Sequence, residues 1–314
     1  MIKLGMIMDP INTLNLTKDS SIAIILEAQK RNYEVFYMEI KDLYLYNEIA
    51  FARAKKLHIE KDKNPWYYLE NELVIKLDEL NVIFMRKDPP VNMEFIYSTY
   101  ILECAEKKGT LIINKPQSLR DYNEKIFITY FPEIIADSLI TKNIQQIYNF
   151  LRQHRDIILK PLDQMGGFSI FRIKEHDPNI FVIIETVTNY GKRFCMAQVF
   201  IPEINQGDKR VLIIDGEIIP YCLARIPRSG ETRGNLAAGG HGKVQPLSVK
   251  DREIANRISP ILQEKGLLFV GLDIIGDKLT EINITSPTCV QEIEREKTIS
   301  ITDRIMNMIE KRLN

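Results

Sequence analysis

Residues 158–170 read ILKPLDQMGGFSI, which predicts a strand that ends in Lys160 and a turn that contains Gly166 and Gly167. Tight glycine turns let backbone N–H groups approach phosphate oxygens, and a fixed lysine neutralises part of their charge. The pattern is not a Walker loop, because the lysine precedes the glycines and a second strand, rather than a helix, follows them. A hairpin with an ordinary Gly-Gly turn explains this motif alone about equally well.

Three residues near the end of the chain carry oxygen atoms of the kind that Mg²⁺ prefers. In Glu281-Ile282-Asn283 the strand period of two puts Glu281 and Asn283 on one face. Asp273 lies on the preceding strand and pairs with Glu281 if the turn has an odd number of residues, such as 276–278, whereas a two-residue turn would break the alignment. These ligands suit Mg²⁺ bound jointly with substrate phosphates. A solvated polar face on an edge hairpin is the other interpretation.

Basic side chains form a third group of candidates. Arg210 and Arg225 belong to neighbouring predicted hairpin strands, Arg233 lies in a glycine-rich loop, and Lys18 precedes a helix that begins near Ser20. Arginine binds carboxylates and phosphates through two parallel hydrogen bonds, and a helix N-terminus favours anions. Taken singly, each residue is more typical of an exposed surface position.

The first third of the chain alternates strand and helix patterns. Asp19-Ser20-Ser21 offers N-caps for an amphipathic helix, and Gly109 ends a second helix. The predicted strands are 2–8, 34–38, 81–85 and 110–114, and the second helix spans 94–108. This βαβ rhythm is typical of a doubly wound parallel sheet, whose ligands gather beyond the carboxyl ends of the strands.

After Asn123 the rhythm changes to a small α+β unit and then to hairpins. A helix is predicted over 142–153, and strands over 156–160, 168–173, 194–200, 210–214, 217–225, 268–275 and 279–284. Residues 226–242 hold five of the 15 glycines. A loop of that length is usually functional or disordered, so we predict a mobile loop there.

Composition excludes several classes of protein. Among 314 residues, 42 Lys plus Arg balance 42 Asp plus Glu, which argues against binding to nucleic acid or to an anionic membrane by bulk charge. No apolar run approaches the roughly 20 residues that span a bilayer. The four cysteines lie far apart without a Cys-x-x-Cys pair, so neither a disulfide framework nor a zinc site is expected, and the cytoplasm is the simplest location.

Longer strings of sequence extend these motifs through nearly the whole chain. They include Arg86-Lys87-Asp88-Pro89-Pro90, Asn123-Glu124-Lys125, Gly230-Glu231-Thr232-Arg233-Gly234-Asn235 and Asn283-Ile284-Thr285-Ser286-Pro287-Thr288. Together with 158–170, they closely resemble the bacterial glutathione synthetase family of ATP-grasp ligases. The paired lysines and the Asp/Glu/Asn set are shared by many ATP-grasp enzymes. The strings 86–90, 230–235 and 283–288, by contrast, are specific to the glutathione enzyme.

The resemblance implies an ATP-grasp fold of mixed α/β and α+β class. It divides the chain into an N-terminal doubly wound substrate-binding domain (1–122), a small central lid domain (123–200) and a C-terminal mixed-sheet catalytic domain (201–314) that carries the mobile loop 226–242. It also implies assembly as a homotetramer, with ATP held between the central and C-terminal units.

The resemblance further implies a role for each site residue. ATP would be bound by phosphate-binding Lys125 and Lys160, the turn Gly166-Gly167, the adenine-reading hinge Gln198, Val199, Phe200 and Ile201, and ribose-binding Asp208. Mg²⁺, with Mn²⁺ as the alternative, would be bound by Asp273, Glu281 and Asn283. The peptide and glycine would be bound by Lys18, Arg86, Asn283, Ser286 and Thr288, and Arg210, Arg225 and Arg233 would stabilise charge during catalysis.

The implied activity is ATP-dependent ligation of γ-glutamylcysteine to glycine through an acyl phosphate, the second step of glutathione biosynthesis. Two positions depart from the family: Gln164 replaces a common glycine, and His241 replaces a frequent arginine. Neither change removes a reacting group. The properties that they put in doubt are the reaction rate and the pH optimum of the implied activity. Another ATP-grasp carboxylate-amine ligase and a non-catalytic ATP-binding module are the alternatives.

Overall fold

Three β-sheets organise the protein in a computed structural model that describes residues 1–236 and 239–314. Ala237 and Ala238, which belong to the predicted loop 226–242, lie outside the described residues. Within the described ranges, none of the helices combines the length and the apolar composition that a bilayer crossing requires.

The first sheet has eight strands and a parallel centre. Its strands are β1 (Lys3–Met8), β2 (Glu34–Met38), β3 (Leu43–Tyr46), β4 (Ile49–Ile59), β5 (Tyr67–Leu69), β6 (Leu73–Lys76), β7 (Val82–Arg86) and β8 (Leu111–Ile113). β1 pairs in parallel with β2 and β7, and β7 with β8. The helices beside it are α1 (Ser20–Lys30), α2 (Met93–Glu106) and α3 (Pro116–Asp121). The βαβ prediction is confirmed, and the side chain of Asp19 caps α1 by accepting from the Ser21 and Ile22 N–H groups at 2.7 and 3.2 Å.

An antiparallel extension that sequence reasoning missed lies at one edge of this sheet. β4 pairs antiparallel with β2, β3, β5 and β6. Its sequence IAFARAKKLHI is rich in alanine and lysine, which are poor strand formers, so propensity gave no signal. Buried alanines alternate with more exposed side chains along much of the strand, and this burial against the sheet overrides propensity.

The second sheet is small and has an apolar core of its own. Its strands β9 (Ser138–Thr141), β10 (Asp156–Pro161), β11 (Phe171–Lys174) and β12 (Cys195–Val199) are ordered β11-β10-β12-β9. Helices α4 (Ile144–His154) and α5 (Ile180–Thr188) pack on it, and Ile147, Leu151, Leu159 and Ile184 are fully buried between them.

The third sheet is antiparallel throughout and has the strand order β15-β14-β13-β16-β17. Its elements are β13 (Asp208–Ile214), β14 (Glu217–Ile226), β15 (His241–Pro246), α6 (Val249–Glu264), β16 (Phe269–Ile275), β17 (Lys278–Asn283), α7 (Val290–Glu296) and α8 (Ile301–Leu313). Because Ile226, His241 and Gly242 belong to strands, the predicted loop 226–242 is too long at both ends, and the connection runs over 227–240. Predicted strand ends such as 156–160 and 194–200 differ by one or two residues from β10 and β12, whereas predicted strand 168–173 begins only at Phe171.

The hairpin between β16 and β17 confirms one expectation and corrects its premise. Asp273 lies opposite Glu281, as the metal hypothesis requires. The turn, however, has two residues, since Ile275 pairs with Lys278, and this length was expected to break the alignment. A β-bulge at Thr280 adds one residue to β17 and restores the register; the Thr280 hydroxyl donates to the Asp273 carbonyl at 3.1 Å.

The side chain of Asn114 joins the first sheet to the third. It follows β8 and is buried; its amide donates to the carbonyls of Phe269 and Ile284 at 2.8 and 2.6 Å and accepts from the Phe269 N–H at 2.9 Å. The two sheets also share an apolar cluster that contains Ile83 of β7, Phe95 of the neighbouring helix α2 and Val270 of β16. These contacts fix the first and third sheets against each other.

We therefore expect Asn114→Ala to lower the free energy of unfolding by about 3 kcal/mol, because three buried backbone groups lose their partner. Urea unfolding followed by circular dichroism measures this change. Asn149→Ala, at an exposed position on α4, is the matched control and should stay within about 0.5 kcal/mol of the wild type. Equal effects of the two substitutions would contradict the role of Asn114.

Candidate active site

Two cavities meet between the sheets. One lies between the second and third sheets, and the other, which is larger, lies between the first and third. Both are lined by Asp273, Glu281, Gly166 and Asn235. After the ligands that the resemblance implies for their residues, we call them the nucleotide-side and substrate-side cavities. Any two molecules bound in them would come together at Asp273 and Glu281.

Strand pairing places charged side chains on one face of the third sheet. Asp208 lies opposite Arg225, Arg210 lies opposite Asp273, and Asp273 lies opposite Glu281. Asp208 and Arg210 share a face because they are two residues apart. A Cβ on Gly271 would lie 2.8 Å from the Arg210 Cδ, so glycine there leaves the room in which the arginine reaches its partner.

Asp273 lies at the centre of this charged face and is buried. Arg210 holds it with two hydrogen bonds, Nε to Oδ1 at 2.6 Å and Nη2 to Oδ2 at 3.1 Å, and Arg225 Nη2 lies 2.9 Å from Oδ2. Burial by itself would raise the pKa of Asp273, but the two guanidinium groups hold that pKa well below its usual range. The carboxylate is therefore ionised at neutral pH.

Asp208 is buried beside the same arginine. Arg225 Nη2 donates to its Oδ2 at 2.5 Å, whereas its Oδ1 is buried and finds no hydrogen-bond partner in the described part of the chain. The residue lines the nucleotide-side cavity. This oxygen can therefore accept a hydrogen bond from a ligand hydroxyl.

Two lysines approach the charged face: Lys160 from strand β10 of the second sheet, and Lys125 from the segment that precedes this sheet. Lys125 Nζ pairs with Glu281 at 2.9 Å and donates to the Gln164 carbonyl at 2.6 Å. Lys160 Nζ donates to Gln198 Oε1 at 3.2 Å and to the Thr280 carbonyl at 3.1 Å. Burial lowers the pKa of Lys160 to about 8, even though Glu281 partly opposes the shift.

The turn that contains Gly166 and Gly167 packs against the loop 227–240. Gly167 has φ +81°, and a Cβ there would lie 2.8 Å from Asn235 Oδ1. Arg233 Nη1 donates to the Gly167 carbonyl at 3.2 Å, and its Nη2 pairs with Glu231 at 2.6 Å. Hydrogen bonding to Arg233 lowers the pKa of Glu231 to about 2. Arg233 therefore lies on the nucleotide side, away from Arg210 and Arg225.

The predicted hinge 198–201 lines the nucleotide-side cavity, but its backbone groups are not equally available. The N–H groups of Val199 and Phe200 already donate to the carbonyls of Asp137 and Asp156, at 2.9 and 3.1 Å. The Ile201 N–H makes no hydrogen bond within the described residues. Of the hinge N–H groups, this one is therefore free for a ligand, and the Gln198 side chain instead orients Lys160.

The substrate-side cavity brings together most of the predicted substrate residues. Asn283, Ser286, Thr288 and the exposed Lys18 line it. Asn283 Nδ2 donates to the Gly271 carbonyl at 3.2 Å, and the Ser286 hydroxyl donates to the Asp88 carboxylate. Arg86 differs, because it is buried behind the cavity wall and donates through Nε to the Ser21 hydroxyl at 3.0 Å.

Glu124 is a buried residue whose role the sequence did not reveal. Its Oε1 accepts from the Ile284 and Thr285 N–H groups at 2.8 and 3.0 Å and from the Thr285 hydroxyl at 2.9 Å. Its carbonyl accepts from the Ile282 N–H at 2.9 Å, which aligns the neighbouring Lys125 with Glu281. The only sequence signal was its place between Asn123 and Lys125.

The oxygen donors fit a divalent cation by their chemistry. Asp273, Glu281 and Asn283 supply two carboxylates and an amide oxygen, the ligand types that Mg²⁺ prefers. Each carboxylate is paired with a cationic side chain, Asp273 with two arginines and Glu281 with Lys125. A bound cation would have to replace some of these contacts.

Comparison with known proteins resolves the family. The family model described as the ATP-grasp domain of prokaryotic glutathione synthetase matches residues 124–298, and the model of the N-terminal domain of the same enzymes matches residues 2–120. The chain belongs to the prokaryotic glutathione synthetase family.

Curated relatives agree over the full length of this glutathione synthetase family member. It is 61% identical to the glutathione synthetase of Salmonella typhimurium and 59% identical to that of Vibrio vulnificus strain YJ016, each over 313 residues. These alignments cover 100% of the chain and 99% and 98% of the two relatives. The chain is therefore an ATP-grasp ligase.

Solved structures support the fold. D-cycloserine synthetase DcsG matches with a TM-score of 0.70 at 11% identity, over 99% of this chain and 100% of that one. The ATP-grasp ligase PsnB, in a complex with its minimal precursor, Mg and ADP, matches with a TM-score of 0.62 at 13% identity, over 99% and 98%. The expected ATP-grasp fold is confirmed.

The pKa of Lys160 generates a stability prediction. The folded chain binds the proton with a pKa of about 8, against 10.5 for an ordinary lysine, so the unfolded chain holds more protons between these values and stability rises with pH there. We expect Lys160→Met to raise the free energy of unfolding at pH 7 by about 2 kcal/mol, and we expect this gain to decline steadily as the pH rises from 8 towards 10.5.

Denaturant unfolding at pH 7, 8.5 and 10 measures the effect. Lys174→Met, at an exposed position on β11, is the control and should show no pH-dependent difference from the wild type. A constant difference across pH for Lys160→Met would contradict the depressed pKa.

Proposed function

We propose that this ligase joins the cysteinyl carboxylate of γ-glutamylcysteine to the amine of glycine, with conversion of ATP to ADP and phosphate. The observation that carries the proposal is the meeting of the two cavities at Asp273 and Glu281, flanked by Lys125, Arg210 and Arg225. A nucleotide on one side and a peptide carboxylate on the other would be brought into contact among these cations. The curated relatives named glutathione synthetase support this choice of substrates.

ATP would occupy the nucleotide-side cavity. Lys125, Lys160 and the turn of Gly166 and Gly167 offer cationic and N–H donors to its phosphates. The free N–H of Ile201 suits an adenine ring nitrogen, and the unpartnered Oδ1 of Asp208 suits a ribose hydroxyl. The Ile201 N–H and the Asp208 Oδ1, which lack a partner among the described residues, would thus each find one on the nucleotide.

Asp273, Glu281 and Asn283 would hold Mg²⁺, or Mn²⁺, together with the phosphates. The bound cation would neutralise phosphate charge during transfer. Lys125, Arg210 and Arg225 compensate these carboxylates within the protein itself, so that the buried Asp273 and the half-buried Glu281 are both paired.

The reaction has two steps. A carboxylate oxygen of the cysteinyl residue attacks the γ-phosphorus of ATP, which forms an acyl phosphate and releases ADP. The glycine nitrogen then attacks the acyl carbon, loses a proton, and phosphate leaves with the bonding electrons. Arg210 and Arg225 would stabilise the negative charge on the phosphate and on the tetrahedral intermediate, so catalysis rests on positioning and charge without a nucleophilic side chain.

The loop 227–240 would protect the acyl phosphate from water. Arg233 already donates to the Gly167 carbonyl in the glycine turn, and Asn235 lies so close that it would clash with a Cβ at Gly167. Exclusion of water prevents hydrolysis of an activated intermediate. We extend the proposal to a mobile loop, to the three-domain division at 122/123 and 200/201, to a homotetramer and to a cytoplasmic location, all supported by the family resemblance.

One assay tests the function against its alternatives. We expect phosphate release from ATP and Mg²⁺ to need γ-glutamylcysteine and glycine together, with a new peptide detected by mass spectrometry. Another amine in place of glycine would indicate a different carboxylate-amine ligase, and ATP binding without any turnover would indicate a non-catalytic module. Either result would overturn the proposal.

Glu281→Gln tests the centre of the site. The isosteric amide removes one carboxylate from the metal set, so we expect kcat to fall more than about 100-fold while the circular dichroism spectrum is unchanged. Glu253→Gln, at an exposed position on α6, is the control and should retain wild-type kcat. Near-normal turnover by Glu281→Gln would exclude these ligands.

Proteolytic cleavage between Arg228 and Gly240 tests the loop. Because the nucleotide contacts lie mostly outside the loop, we expect ADP affinity to change less than about threefold and ligation to be lost. Fluorescence titration with ADP and the coupled ligation assay measure the two quantities on the same nicked sample. An unchanged ligation rate would count against the protective role.

A further inference from the structure

Ser138 is a half-buried hydroxyl residue on the edge strand β9 that the proposed mechanism does not use. It lies directly opposite Gln198 of β12. Gln198 shares a face of the sheet with Lys160 of β10, because Lys160 pairs with Met196 and Met196 is two residues from Gln198. Gln198 and Lys160 line the nucleotide-side cavity, whereas Ser138 lies behind them. The register of the second sheet therefore sets the three side chains in a row that leads from its edge to the cavity.

A chain of hydrogen bonds joins these side chains. The Ser138 hydroxyl donates to the Ala136 carbonyl at 2.8 Å and accepts from Gln198 Nε2 at 3.0 Å. Gln198 Oε1 in turn accepts from Lys160 Nζ at 3.2 Å. The chain thus begins at a backbone carbonyl and ends at an ammonium group in the nucleotide-side cavity.

The direction of this chain follows from the chemistry of its groups. A carbonyl oxygen can only accept, so the single hydroxyl proton of Ser138 is used on Ala136. The Ser138 oxygen can then only accept from Gln198, which requires the amide nitrogen to face Ser138 and the amide oxygen to face Lys160. A reversed amide would point its N–H groups at an ammonium that has no acceptor to offer. Ser138 therefore fixes the one amide orientation that can hold Lys160.

The ammonium group of Lys160 has three donors, and two of them are used within the protein. One donates to Gln198 and one to the Thr280 carbonyl of β17, at 3.2 and 3.1 Å. The third finds no acceptor within residues 1–236 and 239–314. Lys160 is only 6% exposed and lines the cavity, so this donor is available to a ligand there. Because two donors are fixed, the third has a defined direction.

We propose that Ser138 is a positioning residue that strengthens binding of the nucleotide phosphates by acting through the Gln198 amide on Lys160. This inference rests on the proposed placement of ATP, in which Lys160 contacts the phosphates and Asp208 contacts the ribose. Loss of the Ser138 hydroxyl frees the Gln198 amide to turn and leaves Lys160 held by Thr280 alone. The phosphates must then order the ammonium group when they bind, which weakens their binding but not that of the adenosine part.

The test compares the binding of ADP and of adenosine at one fixed Mg²⁺ concentration. Calorimetric titration measures the Kd of ADP, and competition with ADP measures that of adenosine. For Ser138→Ala we expect the Kd of ADP to rise about tenfold, the scale of one net hydrogen bond to a charged group, and the Kd of adenosine to change less than about twofold. Ser138→Thr keeps the hydroxyl and should restore wild-type ADP affinity. Thr186→Ala, which removes an exposed hydroxyl from α5 beside the same sheet, is the control and should change neither Kd.

A double-mutant cycle tests whether the effect passes through the amide. Gln198→Leu removes the amide group but keeps a side chain of similar size. If Ser138 acts through this amide, the addition of Ser138→Ala to Gln198→Leu should change the Kd of ADP less than about 1.5-fold. A loss of about tenfold in that background as well would show that Ser138 acts elsewhere, and it would overturn the proposal.

The remaining outcomes separate this inference from the proposed function. If the wild-type protein binds neither ADP nor adenosine, the proposed placement of ATP is wrong and this inference is wrong with it. If the wild type binds both and Ser138→Ala binds ADP equally well, Ser138 has no positioning role. Equal losses of ADP and adenosine affinity in Ser138→Ala would indicate general damage to the site. Either of these two results would overturn the proposal for Ser138 and leave the proposed function intact.

Discussion

The buried carboxylate of Asp273, held between Arg210 and Arg225, is the interaction on which the site depends. Both guanidinium groups lie within 3.1 Å of this one carboxylate, and burial of any of the three charges without a partner would be costly. Asp208 balances the second arginine, and Glu281 balances Lys125. The charges form one network, so the strands that carry them must pair in one register.

This network also explains how a chain with zero formal net charge can hold a polyanion. A phosphate site needs cations, but cations buried without anions would lower stability. The acidic groups that we propose as metal ligands serve as the anions of the free protein. A nucleotide and a divalent cation together bring the same two kinds of charge, so binding can exchange partners without leaving any of them unpaired.

The three sheets that surround this site are connected in different ways. The first and third sheets share apolar clusters and are joined by Asn114. The second sheet has a separate core beneath its helices, and it adds Met196 of β12 to a cluster that the other two sheets share. Its polar links to the third sheet include the Lys160 contact with the Thr280 carbonyl, and Lys125, from the segment before this sheet, pairs with Glu281. The groups proposed to bind phosphate therefore also help to join the second sheet to the rest of the protein.

Local sequence determined those features whose physics is local. The Asp19 cap, strand 34–38 and the glycine turn followed from hydrogen-bonding side chains, strand periodicity and glycine's tolerance of positive φ. Contacts between distant segments could not be read in this way. Alanine- and lysine-rich β4 is a strand because burial overrides propensity, Glu124 matters because its oxygen meets residues 284 and 285, and Asp273 faces Glu281 only because a bulge offsets a two-residue turn. Pattern specifies which face a side chain takes, but only packing and pairing of the whole chain decide what that face meets.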